Sequence, residues 1–272
     1  MTIEFCPGYN QEPFRNLVRD YPGDSVYPRD DFRVEWGPMF HRGRLDGTAR
    51  LLVIGQDPAQ HETVVRRILV GAAGKRVQGF VAKVGLTRGY VLVNTFLYSV
   101  YGQGNGSSHI TDPTISVYRN AWLKAILDQG GIQAVVSLGT LADKSWKQWL
   151  KSPDAAGRPL LTYKTVPHPT SPEGAGGSPA KQAAATAAML VKYNSAITSL
   201  RQIVTGEAPL PPLYGADFLP EEYVDIPMAD LPAGTPDWMA TERRWAERTG
   251  DTPRTKRRTI TVTVPDALIP NP

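Results

Sequence analysis

The chain has 272 residues, 41% of them hydrophobic, which is enough for one packed domain with an appendage. Its formal net charge of +4 permits a polyanionic partner but also fits a solvated basic surface. The single cysteine, Cys6, has no partner for an intramolecular disulfide and cannot alone build a zinc or iron–sulfur site. We therefore expect a reducing, cytoplasmic location (nucleoid-associated in a prokaryote), with no signal peptide and no membrane-spanning run.

Short apolar runs and helical patterns alternate along the chain after a Pro-rich segment, residues 1–49, which we expect to be an arm packed on the core. The predicted strands are residues 50–55, 90–95, 133–138 and 160–166. The predicted helices begin at Asp57, Lys75, Asp112, Gly139 and Ser178, the last one ends before Gly206, and residues 102–111 are predicted to be a Gly/Ser-rich loop.

This alternation predicts an α/β fold with three layers, α/β/α, around a central, mostly parallel four-stranded sheet in residues 50–206. Residues 207–272 are rich in Pro, Glu and Asp and carry a basic run at 254–258. We expect them to form a Pro-rich, partly irregular C-terminal extension, whose basic run either grips phosphate or is simply solvated.

Polar side chains follow three of the predicted strands: Asp57, Asn94 and His168. The carboxyl ends of parallel strands meet at one edge of a sheet, where ligands bind, so we expect these three groups to share a rim. Each also has a structural interpretation. Asp57 before Pro58 is typical of a helix N-cap, Asn94 can satisfy backbone groups at a strand end, and His168 between two prolines can be a surface-loop residue.

Five segments within residues 50–205 carry a family resemblance. They are Gly55-Gln-Asp-Pro-Ala-Gln60, Leu69-Val-Gly-Ala-Ala-Gly74, Val91-Leu-Val-Asn-Thr95, Ala134-Val-Val-Ser-Leu-Gly139 and Pro167-His-Pro-Thr-Ser-Pro172. Each resembles a motif of the uracil-DNA glycosylase superfamily, and they occur in the family's order. The first is similar to Gly-Gln-Asp-Pro-Tyr-His, and the second to the Phe-Val-Gly-x-Ala-Gly segment of thermophile-type members.

The resemblance implies a role for each matching residue. Asp57 would orient water or stabilise the sugar cation, and His168 would stabilise the departing uracil anion. Asn94 would read the edge of uracil, and Thr170 and Ser171 would hold phosphates of the DNA. The remaining base-contacting positions would be Gly55, Gln56, Ala59 and Leu69.

The sequence departs from the family at several of these positions. Ala59 replaces a tyrosine that excludes the methyl group of thymine, and Leu69 replaces a phenylalanine that stacks on uracil. Phe80 and Phe96 are the alternative candidates for that stacking, although both fit the core better. The loop after Pro172 has no large apolar residue to wedge into a duplex, and its Glu173 would repel phosphate.

The leading hypothesis is a monofunctional, cofactor-free, monomeric base-excision-repair hydrolase. It would flip uracil out of single- or double-stranded DNA and cleave its N-glycosidic bond with water, leaving an abasic site. Two alternatives remain open: a weakly catalytic or non-catalytic protein of the same fold that binds uracil or abasic DNA, and a hydrolase of free nucleosides or nucleotides.

Overall fold

The computed structural model describes residues 9–250 and 259–269. Cys6 and the basic run at 254–258 lie outside these ranges. Within them, no helix is both long enough and apolar enough to cross a membrane.

A five-stranded sheet forms the centre of the fold, in the order β1-β3-β2-β4-β5. Its strands are β1 (His41–Gly43), β2 (Leu51–Gly55), β3 (Tyr90–Asn94), β4 (Ala134–Leu138) and β5 (Thr162–Val166). The four predicted strands are confirmed and run parallel. The fifth strand, β1, was not predicted, and it pairs antiparallel with β3 at one edge. Its sequence, His-Arg-Gly, has no apolar pattern to mark it.

Helices cover both faces of the sheet, so the predicted three-layer architecture is confirmed. They are α1 (Phe14–Arg19), α2 (Gln60–Val65), α3 (Ala72–Val84), α4 (Gly102–His109), α5 (Pro113–Asp128), α6 (Thr140–Trp149), α7 (Pro179–Leu200) and α8 (Asp237–Thr241). One face of the sheet packs on α3 and α7, and the other packs on α1, α5 and α6.

The predicted loop at residues 102–111 is wrong, because Gly102–His109 forms helix α4. A β-carbon at Gly106 would lie 3.0 Å from Phe96 and 3.4 Å from Leu141. The glycine therefore permits close packing, and tertiary contact overrides its poor intrinsic helix propensity.

The C-terminal extension packs on the core through ion pairs with largely buried cations. Lys83 on α3 pairs with Glu222 at 2.7 Å, and Arg42 on β1 pairs with Asp230 at 3.0 Å. Removing one partner of such a buried pair typically costs about 3–5 kcal/mol. Further along the extension, β6 (Ala246–Thr249) pairs antiparallel with β7 (Thr259–Val262).

Candidate active site

The sheet places the predicted residues along its carboxyl edge. Gly55, the last residue of β2, pairs in register with Asn94, the last residue of β3. His168 follows β5, which is separated from β2 by β4 alone. Since adjacent strands lie about 4.8 Å apart, the axes of β2 and β5 are roughly 10 Å apart. A small planar base can therefore be reached from both sides of this edge.

Asp57 is not the N-cap of a helix, so that structural interpretation is wrong. Helix α2 begins at Gln60 after Ala59, and the Glu62 carboxylate accepts a 3.0 Å hydrogen bond from the Ala59 N–H. The Asp57 carboxylate instead accepts a 2.9 Å hydrogen bond from the Val100 N–H, and it is partly buried. Because Glu62 accepts the hydrogen bond from the Ala59 N–H at the start of α2, the Asp57 carboxylate is not occupied in capping that helix.

The environment of Asp57 makes its carboxyl group hold the proton to a higher pH than usual. Burial raises the pKa of Asp57 to about 6, against opposing effects of the Val100 N–H, the Gln56 side chain, and the charges of Arg248 and Arg33. A carboxyl with this pKa is ionised at neutral pH yet remains basic enough to accept hydrogen bonds strongly.

The Asn94 amide faces Gly55 and forms no hydrogen bond within residues 9–250 and 259–269, so it does not satisfy the strand end. A β-carbon at Gly55 would collide with the Asn94 oxygen, which shows how closely this amide covers the β2 terminus. The same β-carbon position lies 3.7 Å from Leu69. Glycine at position 55 therefore leaves room for an amide and an apolar side chain at one point.

Leu69 adopts a left-handed backbone conformation, with a φ of 53°. Its carbonyl lies against Gly74, where any β-carbon would clash with it. The preceding carbonyl, of Ile68, accepts a 3.1 Å hydrogen bond from Arg42. Strained non-glycine backbone of this kind is held only where the surroundings enforce it, and it is common at ligand sites.

His168 is held as a neutral imidazole. Its pKa is lowered to about 4, chiefly by burial, with Glu173 opposing the shift and Arg76 adding to it. Its Nδ1 lies 3.0 Å from the Thr170 hydroxyl and accepts a 3.3 Å hydrogen bond from the Thr170 N–H. Because an N–H can only donate, Nδ1 is the acceptor and the ring proton belongs on Nε2.

The other predicted residues have distinct surroundings. The Thr170 hydroxyl is engaged with His168, while exposed Ser171 has its hydroxyl 3.7 Å from the Met189 sulfur. Phe80 and Phe96 are fully buried, so the core interpretation of both is confirmed. Among the described residues, no group of His, Cys, Asp and Glu is arranged to hold a metal ion.

Two arginines that sequence reasoning missed support the site. Arg33 donates to the Val100 carbonyl at 2.6 Å and to the Ser99 hydroxyl at 2.9 Å, bracing the segment that binds Asp57. Arg76 donates to the Pro169 carbonyl at 2.6 Å. It also pairs with Glu173 at 2.7 Å, which neutralises the acid predicted to repel phosphate. Neither arginine lies in a recognisable motif, so only the long-range contacts reveal them.

Comparison with known families supports this arrangement. The sequence model of the family described as "Uracil DNA glycosylase superfamily" matches residues 42–190, just over half of the chain. No curated protein matches the chain. The matched region contains Asp57, Asn94 and His168, and the match indicates glycosylase-type chemistry with DNA as the substrate. Its fold and its family match together show that the chain belongs to the uracil DNA glycosylase superfamily.

Proposed function

We propose that the chain excises uracil from DNA by hydrolysing the N-glycosidic bond. The observation that carries the proposal is the pairing of an unengaged amide, Asn94, with Gly55 at the sheet edge, beside a carboxylate that no helix uses as a cap. The amide suits a uracil edge, because its nitrogen donates to the O4 carbonyl and its oxygen accepts from the N3 N–H.

The two other groups match the charges that develop as the bond breaks. The electron pair of the C1′–N1 bond leaves with the base, so the sugar becomes cationic and uracil becomes anionic. Asp57 supports the sugar cation and orients a water whose oxygen bonds to C1′ as its proton passes to the Asp57 carboxylate. The Nε2–H of neutral His168 donates to the anionic O2 of uracil. Electrostatic groups placed in advance in this way are worth about 3 kcal/mol each.

Discrimination against cytosine follows from the Asn94 amide. Cytosine presents an amino group and an unprotonated N3 where uracil presents a carbonyl and an N–H, so both hydrogen bonds are mismatched when the amide holds the orientation that suits uracil. A site built to hydrogen-bond one edge rejects the other because its polar groups are left unpaired.

A second candidate function is binding of uracil or abasic DNA without efficient turnover. It is favoured by Leu69, which lacks an aromatic ring for stacking, and by Ala59, which leaves thymine's methyl group unopposed by a tyrosine. Tight binding to DNA with no base release would distinguish it.

One comparison tests the proposal. The protein is incubated with uracil-containing single- and double-stranded oligonucleotides and, in parallel, with free deoxyuridine, and the oligonucleotides are then treated with alkali. Strand cleavage at uracil, with deoxyuridine intact, supports the proposal. Hydrolysis of deoxyuridine alone would instead identify a nucleoside hydrolase.

A further inference from the structure

A segment beyond the family-matched residues lies against the site. Residues 243–248 follow α8 and include the first three residues of β6, and the segment is anchored on α2. The buried Trp245 ring meets the ring of His61 edge-on at 4.8 Å, and the Ala246 N–H donates to the Nε2 of His61 at 3.3 Å. His61 lies four residues after Asp57, so the segment is fixed close to the proposed catalytic carboxylate.

Arg248 lies at the Asp57 end of this segment. It is exposed on β6, where it pairs in register with Ile260 of β7. Arg248 follows Ala246 by two residues on β6, and the Ala246 N–H is bonded to His61 of α2, so the strand carries Arg248 beside the residues that follow Asp57. In keeping with this position, the charge of Arg248 lowers the pKa of Asp57 against the larger effect of burial. Within the described residues, no carboxylate forms an ion pair with Arg248.

Arg243 lies at the His168 end. Its guanidinium is 4.2 Å from the centre of the Tyr223 ring, and the Tyr223 hydroxyl accepts a 3.2 Å hydrogen bond from Arg76. Arg76 in turn binds the Pro169 carbonyl, directly after His168. Like Arg248, Arg243 is exposed. The two cations therefore mark opposite ends of the site.

The length of the segment suits a nucleic-acid backbone. The five residue steps from Arg243 to Arg248 span at most about 17 Å, which is the axial rise of about five base steps on one DNA strand. Glu247 also lies in the segment, but strand alternation places it on the face of β6 opposite Arg248. The carboxylate of Glu247 therefore does not lie between the guanidinium groups of Arg243 and Arg248 on the face of β6 that carries Arg248.

We propose that residues 243–248 form a DNA-backbone clamp, in which Arg243 and Arg248 contact phosphates on either side of the nucleotide whose base enters the site. This inference rests on the proposed function for the identity of that base, but the phosphate contacts themselves require only DNA. Guanidinium groups bind phosphate strongly because they offer paired donors and a permanent charge.

The test is the salt dependence of DNA binding. The affinity of the full chain for a duplex with a tetrahydrofuran abasic analogue is measured by fluorescence anisotropy at several salt concentrations. Each lost phosphate contact reduces the slope of log K against log salt by about 0.9, so Arg243→Gln with Arg248→Gln should reduce it by about 1.8. The matched control, Lys124→Gln with Lys147→Gln, removes two exposed charges from α5 and α6 and should keep the wild-type slope.

A conservative variant separates phosphate contact from misfolding. Arg243→Lys with Arg248→Lys should restore most of the slope, because lysine still neutralises phosphate. An unchanged slope in the glutamine variant, or an equal loss in the control, would overturn the clamp. Because the analogue contains no base to release, this outcome is independent of uracil excision. Excision with an unchanged slope would refute the clamp alone, and a reduced slope without excision would refute the proposed function alone.

Discussion

The Val100 N–H donates a 2.9 Å hydrogen bond to Oδ2 of Asp57, joining the segment after β3 to the end of β2. That donor stabilises the ionised carboxylate and fixes its direction. Since the Val100 carbonyl accepts from buried Arg33, the N-terminal arm contributes to the site through one intermediate residue. Arg33 is thus a positioning residue, and Asp57 is the proposed catalytic one.

Substitution of Arg33 should slow the excision that depends on Asp57, although the Asp57 carboxylate itself stays in the site. For Arg33→Gln we expect a slower single-turnover excision rate, by about 10-fold for a group whose charge and bracing contacts are both lost. We also expect the acid limb of the pH–rate profile to move to higher pH, because one cation that lowers the pKa of Asp57 is gone. Arg33→Lys should reverse part of the pH shift. An acid limb that stays in place while the rate falls would show that Arg33 serves only folding.

The rate of excision should rise with pH through about 6 and then level off. Asp57 must be ionised, and burial raises its pKa to about 6, whereas burial keeps the pKa of His168 near 4. Neutral His168 therefore adds no second limb between pH 5 and 8. Single-turnover rates from pH 4.5 to 9 measure this. A rate that declines as pH rises through 6 to 7 would mean that a protonated imidazole is required.

Asp57→Asn should stabilise the fold at neutral pH. The folded-state pKa of Asp57 lies above its ordinary value of 3.8, so the folded state binds the proton more tightly. Its ionisation therefore costs stability above about pH 6 and costs nothing below about pH 4. Two pKa units correspond to about 3 kcal/mol, and partial exposure reduces this to about 1 kcal/mol. Thermal unfolding at pH 8 and pH 4 should show a gain in the variant only at pH 8.

Asp128, a surface carboxylate, serves as the control because its pKa is shifted in the opposite direction from that of Asp57. Hydrogen bonding to Lys124 and Arg158 lowers the pKa of Asp128, so Asp128→Asn should not stabilise the protein at pH 8. Equal gains in both variants would mean that the loss of one negative charge, rather than burial of Asp57, is responsible.

Asn94→Asp should weaken the distinction between uracil and cytosine. A carboxylate accepts from the cytosine amino group but has no donor for the uracil O4. We expect uracil excision to fall by about 10- to 100-fold, the effect of losing one or two such hydrogen bonds, and the preference for uracil to shrink at least about 10-fold. Competing oligonucleotides measure both. Asn16→Asp, at an exposed position of α1, makes the same charge change and should leave both unchanged, while intact selectivity in Asn94→Asp would contradict the assigned role.

Local patterns predicted much of the fold, whereas long-range contacts escaped prediction. The four parallel strands are visible in the sequence because each is a buried apolar run, and their ends place Asp57, Asn94 and His168 on one edge. The Asp-Pro pair at position 57 suggested a cap, since nothing local shows that Glu62 serves α2 instead. The support that Arg33 gives through Val100 spans 67 residues of sequence, and no periodicity records it.

The most direct measurement is the release of free uracil from a uracil-containing oligonucleotide by the wild-type chain and by Asp57→Asn, at pH 8 with enzyme in excess. The site as described predicts one uracil and one alkali-labile position per substrate strand for the wild type, no product at cytosine, and a rate lower by about 10²- to 10⁴-fold in the variant. Intact uracil DNA in both single- and double-stranded form, or equal rates for the two proteins, would contradict it.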